Sequence, residues 1–174
     1  FKFETVGLEN VPNEGPVILC SNHKSNWDPP TVATFLKRRV RFMAKEELFR
    51  IPLFGGMIHR LGAFPVRRGG ISKDSVRLTL RILGEGEVLL IFPEGSRRNS
   101  GGAGKRGAAT FALKANATVI PIAIVGTYKF RGKLKVVYGQ PMKFVNDERL
   151  TTERLEEATE QIMQRIRSME DVAV

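Results

Sequence analysis

The chain has 174 residues, a length that suits one folded domain with a substantial hydrophobic core. Its 28 basic and 18 acidic residues give a formal net charge of +10, which favours an anionic partner such as nucleic acid, a phosphorylated substrate or an acidic membrane. The single cysteine, Cys20, excludes a disulfide within the chain. No apolar run approaches the roughly 20 residues of a membrane-spanning helix.

Short apolar segments recur along the chain and have the length of buried strands. They lie near residues 17–21, 40–44, 87–92, 118–125 and 133–139. Helical patterns separate most of them. This alternation predicts an α/β fold with a single domain, in which a mixed central sheet is flanked by helices.

Four helices are predicted between and after these strands. The first starts at Pro29 with Asp28 as its N-cap, because aspartate suits the N-cap and proline the first helical position. The second is capped by Ser72, and Gly84 suits its left-handed end. The others span about 107–115 and 151–169, and the last is amphipathic.

The segment NHKSNWD, residues 22–28, follows the first predicted strand and places His23 five residues before Asp28. A histidine acts as a general base when a carboxylate holds one ring nitrogen and the other faces the proton to be removed. Five helical positions separate two side chains by about 140°, so we expect His23 in a loop and Asp28 at the next helix. The alternative is that Asp28 only caps that helix and His23 is an ordinary loop residue.

Two pairs of arginines follow strand-like segments. Arg97 and Arg98 end the segment FPEGSRR at residues 92–98, and Arg67 and Arg68 follow GAFPV at residues 62–66. Ligand-binding residues of α/β folds collect after strands, and the guanidinium fork can donate two hydrogen bonds to a phosphate. Each arginine taken alone is more simply interpreted as a solvated surface charge, and the position of all four after strand-like segments favours a binding role.

These segments, together with VIPI at residues 119–122, form an ordered set. In this order and spacing they resemble the four signature motifs of the glycerolipid acyltransferases, the family of 1-acylglycerol-3-phosphate acyltransferases. The resemblance covers roughly residues 4–140. The second motif often has an acidic residue where this chain has Val66, which leaves open whether Arg67 or Arg68 acts.

The resemblance implies a glycerolipid acyltransferase-like domain over residues 1–174. The four motifs lie within about 22–122, and the C-terminal amphipathic helix covers about 151–169. The implied activity moves a fatty acyl group from an acyl thioester to the free hydroxyl of 1-acylglycerol 3-phosphate. The product is phosphatidic acid, an intermediate of phospholipid biosynthesis.

The resemblance also implies roles for individual residues. His23 is expected to be the general base, oriented by Asp28. Glu94 can cap a turn, orient the arginines or contact acceptor hydroxyls. The residues expected to bind substrate are Asn22, Phe64, Arg67, Arg68, Glu94, Gly95, Ser96, Arg97 and Pro121. No metal and no cofactor are expected, and acyl-coenzyme A or acyl carrier protein serves as the acyl-donor substrate.

The expected partners are lysophosphatidic acid, the acyl donor and an anionic membrane surface. We expect membrane association on the cytoplasmic face without a transmembrane helix in this chain. Cations cluster at residues 37–41 and 129–135 and can bind anionic lipid. Apolar residues from 48 to 58 can line an acyl channel, contact lipid or pack in the core.

Several alternatives have less support. The acceptor can be glycerol 3-phosphate or another lysolipid. A non-catalytic basic module that binds membrane or nucleic acid would explain the charge but not the four motifs. Residues 128–131 are the only aromatic run interleaved with basic residues, so no nucleic acid is expected.

Two further chemistries are disfavoured by the sequence. The glycines at residues 102, 104 and 107 match a dinucleotide-binding fingerprint, but they do not directly follow a strand. The acidic residue that this fingerprint requires about 20 positions later is also missing. Cys20 lies in an apolar strand and no G-x-S-x-G segment is present. Direct acyl transfer is therefore favoured over a covalent acyl-enzyme.

Overall fold

The computed structural model describes residues 2–66, 72–93, 106–129, 132–145 and 150–172. Within these residues, seven strands form one sheet in the order β1-β7-β6-β2-β5-β3-β4. Neighbouring strands are parallel except β6 and β7, which are antiparallel. The strands are β1 Lys2–Val6, β2 Val17–Ser21, β3 Val40–Lys45, β4 Ala63–Val66, β5 Val88–Ile91, β6 Thr118–Gly126 and β7 Lys133–Tyr138. The prediction of an α/β fold with a mixed sheet is confirmed.

Helices cover both faces of this sheet. They are α1 Asp28–Ala33, α2 Glu46–Phe49, α3 Phe54–Arg60, α4 Lys73–Gly84, α5 Gly107–Ala115 and α6 Thr152–Val172. Val32 of α1, Phe49 of α2 and Ile58 of α3 pack on one face. Helices α4, α5 and α6 pack on the other face, for example through Phe111 and Ile162.

The central strands are apolar at successive positions because both faces of the sheet are covered. In β2, Val17 and Leu19 belong to the core beneath α1–α3, whereas Ile18 and Cys20 belong to the core beneath α4–α6. All four side chains are fully buried. Burial of this apolar surface fixes the register of β2 between β5 and β6.

Two strands were not predicted from the sequence. β1 and β4 are the edge strands of the sheet, and such strands carry a weaker apolar pattern. In β4, Pro65 interrupts the pattern, since proline lacks the N–H of a ladder hydrogen bond and is tolerated mainly at edges.

Two predicted helix ends differ from the structure. Asp28 is the first residue of α1 and Trp27 occupies the N-cap, so the N-cap prediction for Asp28 is wrong. Ser72 does cap α4, since its side chain accepts a hydrogen bond from the Ser75 backbone N–H. Gly84 is still helical, and the left-handed residue is Gly86 with φ 74°.

The parallel strands place their carboxyl ends along one edge of the sheet. We call this the carboxyl edge, and it is defined by Ser21, Lys45, Val66, Ile91 and Gly126. From β2 the chain proceeds to β3 on one side, whereas β6 lies on the other side of β2. Ligands of α/β sheets bind outside the carboxyl ends of strands near such a point of divergence.

No helix in the described ranges combines the length and apolar character required to cross a membrane.

Candidate active site

His23 and Asp28 form a hydrogen-bonded pair at the carboxyl edge. The chain leaves β2 at Ser21, turns through residues 22–27 and enters α1 at Asp28. The His23 Nδ1 atom lies 2.8 Å from the Asp28 Oδ2 atom. The expected loop position of His23 and its proximity to Asp28 are confirmed, and the loop brings the two side chains together where a helix would separate them.

Asp28 is held by several hydrogen-bond donors. Its Oδ2 atom accepts the backbone N–H of Lys24 at 2.6 Å and that of Ser25 at 2.8 Å, in addition to His23. Its Oδ1 atom accepts the Tyr128 hydroxyl at 2.7 Å. The side chain is fully buried, so these donors replace the water that would otherwise solvate the carboxylate.

The hydrogen bonds determine the charge of Asp28. Burial by itself raises the pKa of the carboxyl group, but the donors from His23, Ser25, Tyr128 and Lys24 outweigh it and lower the pKa below its ordinary value. Asp28 is therefore a carboxylate at neutral pH. A carboxylate accepts the Nδ1–H of histidine, which leaves Nε2 as the basic nitrogen.

Tyr128 belongs to the site although the sequence did not indicate it. It follows β6, the strand next to β2, and its hydroxyl also lies 3.2 Å from the Thr31 Oγ1 atom. Burial raises the pKa of Tyr128, so the hydroxyl stays protonated and donates. The available signal was its place two residues after β6, a strand that the sequence predicts.

The imidazole of His23 is packed on one side and accessible on another. Its ring stacks on that of Phe92, with centroids 4.1 Å apart and planes inclined by 25°. Phe92 directly follows β5. The His23 side chain is 17% exposed, so the ring is oriented by Phe92 and Asp28 while part of it stays open to a ligand.

Asn22 binds the start of the loop after β2 to the neighbouring strand β6. Its side-chain oxygen accepts the backbone N–H of Ile124 at 2.8 Å, and its amide donates to the carbonyl of the same residue at 3.0 Å. The amide also donates to Glu170 near the end of α6, and the Lys24 ammonium lies 3.4 Å from the same carboxylate. Both neighbours of His23 are thus attached to fixed elements, and the substrate-binding role of Asn22 stays a prediction.

The second motif is positioned by its glycine. Gly62 has φ 100°, and a Cβ atom there would lie 2.1 Å from the carbonyl oxygen of Val40. Any other residue would push β4 away from β3. Phe64 is buried in the core beneath α4–α6. The described chain reaches Val66 at the carboxyl edge, whereas Arg67 and Arg68 lie outside the described residues.

The third and fourth motifs are described in part. The structure covers the chain through Pro93 after β5, and the predicted site residues Glu94, Gly95, Ser96 and Arg97 lie outside the described residues. Pro121 is buried in β6 opposite Cys20, and its carbonyl accepts the Gly139 N–H at 2.8 Å. The substrate-binding roles of Phe64 and Pro121 stay predictions.

Cys20 is fully buried, and burial raises the pKa of its thiol well above the ordinary value. A thiol in this state is a poor nucleophile. In the part of the chain that is described, no three histidine, cysteine or acidic side chains form a group that could hold a metal ion.

Three described cations lie at opposite edges of the sheet. Arg38 donates hydrogen bonds to the carbonyls of Pro12, Gly15 and Gly86, which precede strands at the edge opposite His23. This arginine therefore ties loops together. Lys45 and Lys133, by contrast, are exposed at the carboxyl edge, where a positive potential favours an anionic ligand.

Comparisons with known proteins support the fold. A solved structure titled as the 1-acyl-sn-glycerophosphate (LPA) acyltransferase PlsC from Thermotoga maritima superposes with a TM-score of 0.71 at 26% identity. The match covers 94% of this chain and 70% of that one.

Curated relatives agree as well. The 1-acyl-sn-glycerol-3-phosphate acyltransferase of Bacillus subtilis (strain 168) is 32% identical over 170 residues, which cover 94% of this chain and 85% of the relative. The protein of the same name from Streptococcus pneumoniae is 31% identical, with coverages of 88% and 66%. The chloroplastic LPAT1 of Arabidopsis thaliana is 31% identical, and the match spans 82% of this chain but 44% of the plant protein. Residues 2–125 match the family model described as Acyltransferase, and the chain therefore belongs to the acyltransferase family.

Proposed function

We propose that this protein transfers a fatty acyl group from an acyl thioester to the free hydroxyl of 1-acyl-sn-glycerol 3-phosphate and so forms phosphatidic acid. The observation that carries the proposal is the 2.8 Å hydrogen bond from His23 to the buried Asp28 carboxylate at the carboxyl edge of an acyltransferase-family domain. The names of the relatives from Bacillus subtilis and Streptococcus pneumoniae support the acceptor.

In the proposed reaction, His23 Nε2 takes the proton of the acceptor hydroxyl as that oxygen attacks the thioester carbonyl carbon. The tetrahedral intermediate collapses when the carbon–sulfur bond breaks, and the imidazolium returns its proton to the thiolate that leaves. Asp28 keeps the imidazole in the productive tautomer and stabilises the imidazolium. General acid–base catalysis of this kind contributes about 10² to 10⁴ in rate.

Direct transfer is favoured over a covalent acyl-enzyme. Cys20 is buried and its pKa is raised, so it offers no thiolate to the acyl donor. The donor is acyl-coenzyme A or acyl carrier protein, and no cofactor beyond that substrate and no metal are invoked.

Positive charge is proposed to hold the acceptor phosphate. Arg67 or Arg68 and Arg97 supply the planar donors that suit a phosphate. Lys45 and Lys133 add positive potential at the same edge. Glu94, Gly95, Ser96, Phe64, Pro121 and Asn22 complete the proposed acceptor site.

The proposed enzyme acts as one domain over residues 1–174, on the cytoplasmic face of a membrane from which the lipid acceptor is drawn. The net charge of +10 favours an anionic membrane surface.

An acyl-transfer assay with a panel of acceptors tests the proposal. Lysophosphatidic acid, glycerol 3-phosphate and lysophosphatidylcholine are each supplied with acyl-coenzyme A and with acyl carrier protein thioester. We expect phosphatidic acid from lysophosphatidic acid as the dominant product. Faster transfer to glycerol 3-phosphate or to lysophosphatidylcholine contradicts the acceptor assignment, and no transfer with either donor contradicts the enzyme assignment.

A further inference from the structure

An exposed group of apolar side chains lies on the turn between α2 and α3 and along α3. We call it the apolar stripe, and its members are Ile51, Leu53, Phe54, Met57 and Leu61. Leu53 is 94% exposed and the other four are between 37% and 47% exposed. Single exposed apolar residues are ordinary, but a contiguous group marks an interaction surface.

The stripe occupies one side of α3. At about 100° per residue, Phe54, Met57 and Leu61 fall on the same side of the helix. Gly55 and Ile58 are buried on the side that faces the sheet. The apolar side chains of the stripe therefore remain exposed after α3 has packed against the core.

Leu53 is held in a strained turn. It has φ 64° and ψ −46°, and the Phe54 N–H donates to the Pro52 carbonyl across it at 2.7 Å. This is a γ-turn of the rare positive-φ kind, which a leucine adopts only against steric resistance. Because Leu53 is almost fully exposed, its apolar side chain is available to an outside partner.

The position of the stripe relates it to the site. Helix α2 begins directly after β3 at the carboxyl edge, and β3 is separated from β2 by β5 alone. The stripe runs from there toward the opposite edge, because Leu61 lies next to Gly62, which packs closely against the Val40 carbonyl at the start of β3. Trp27, which precedes Asp28, is 64% exposed, and α1 covers the same face of the sheet as α2 and α3.

The chemistry around the stripe favours a membrane. The α2–α3 segment carries the cations Lys45, Arg50 and Arg60 and the carboxylates Glu46 and Glu47, with Arg50 paired to Glu46. Its charge is therefore slightly positive, which suits an anionic lipid surface. Tryptophan suits the headgroup region because its ring is apolar and its N–H is polar. A second copy of the chain is disfavoured since both copies carry a net charge of +10.

We propose that the apolar stripe inserts into the headgroup region of an anionic bilayer, so that the face of the sheet covered by α1–α3 is turned toward the lipid. This inference rests on the proposed function, because a lipid acceptor gives the docking its purpose. It assigns the insertion to one turn and one helix of the chain.

The test uses the full chain with vesicles of phosphatidylcholine alone and of phosphatidylcholine mixed with phosphatidylglycerol. Leu53→Gly removes the projecting side chain and relieves the positive φ, so the fold is retained. We expect it to bind the mixed vesicles about tenfold more weakly, which corresponds to about 1.4 kcal/mol. Met57→Gln should weaken binding in the same direction.

Val145→Ser is the matched control. Val145 is an exposed valine that follows Phe144, which packs beneath α4–α6 on the opposite face of the sheet. We expect this variant to bind vesicles like the wild type. Equal loss in Val145→Ser, or unchanged binding in Leu53→Gly, overturns the proposal. Loss of self-association in Leu53→Gly without loss of vesicle binding assigns the stripe to a second copy and also overturns it.

Transfer to a short-chain, monomeric lysophosphatidic acid separates this inference from the proposed function. We expect Leu53→Gly to match the wild type on that acceptor and to lose turnover on vesicle-bound acceptor. An altered preference for acyl-chain length in solution would place Leu53 in an acyl channel instead, which contradicts docking. Vesicle binding by a wild type that transfers no acyl group to the short-chain acceptor refutes the proposed function but not the docking.

Discussion

Replacing Tyr128 by phenylalanine removes the donor to Asp28 Oδ1 together with the longer, 3.2 Å contact with the Thr31 Oγ1 atom. The hydroxyl donates to Asp28 Oδ1 at 2.7 Å, whereas His23, Lys24 and Ser25 all donate to Oδ2. The phenyl ring preserves the packing. A hydrogen bond to a charged group is worth about 1.5 to 3 kcal/mol, so we expect Tyr128→Phe to lower the free energy of unfolding by that amount at neutral pH.

The loss should depend on pH. Because the folded-state pKa of Asp28 is lowered, the carboxylate stabilises the fold above the unfolded pKa of about 3.9, and this contribution is lost as the pH falls through the folded pKa. Tyr128→Phe moves the folded pKa back toward the unfolded value. The stability difference between wild type and variant should therefore shrink on acidification and be largest at neutral pH.

Tyr138→Phe is the matched control for this effect. Its hydroxyl is buried and donates at 2.7 Å to the neutral carbonyl of Val32. We expect a loss of about 0.5 to 1.5 kcal/mol that changes little with pH. Urea unfolding of both variants and the wild type across the acid range measures the difference. A loss in Tyr128→Phe that is equal at all pH values would refute the argument that this hydroxyl acts through the Asp28 charge.

Two further predictions concern ligand binding and the loop. Arg67→Ala or Arg97→Ala should raise KM for lysophosphatidic acid more than KM for the acyl donor, lysine should rescue in part, and Arg68→Ala shows whether Arg67 or Arg68 binds the phosphate. An equal rise in KM for both substrates would instead assign these arginines to the fold or to donor binding. Glu170→Ala should lower turnover but reduce the free energy of unfolding by about 1 kcal/mol or less, because Asn22 loses its hydrogen bond to α6 and keeps those to β6. Glu170→Gln keeps an acceptor oxygen and should restore turnover, whereas identical kinetics in the two variants would show that the contact does not position Asn22.

The pairing of His23 with Asp28 could be predicted because both residues lie in one short segment. A loop of six residues leaves few ways to separate them, and the apolar run before it locates the end of a strand. The prediction that Asp28 is the N-cap of α1 was wrong because its side chain is bound within the same short loop. Its side chain accepts the backbone N–H groups of Lys24 and Ser25, which precede α1.

Contacts between distant segments could not be predicted. Tyr128 reaches Asp28 across 100 residues and Glu170 reaches Asn22 across 148. Both contacts depend on the strand order, which places β6 beside β2, and on the length of α6. Apolar periodicity gives the existence of strands and helices but not which strands are neighbours. The strained turn at Leu53 likewise has no local sequence signal beyond the preceding Pro52.

The turnover of His23→Ala on lysophosphatidic acid, measured beside its thermal unfolding, shows whether His23 is the general base. His23 lies in a loop and its side chain is partly exposed, so the fold should survive the substitution. We expect kcat to fall by about 10² to 10⁴, and Asp28→Asn should also lower turnover. A folded His23→Ala protein that retains wild-type turnover would contradict the assignment of His23 as the general base.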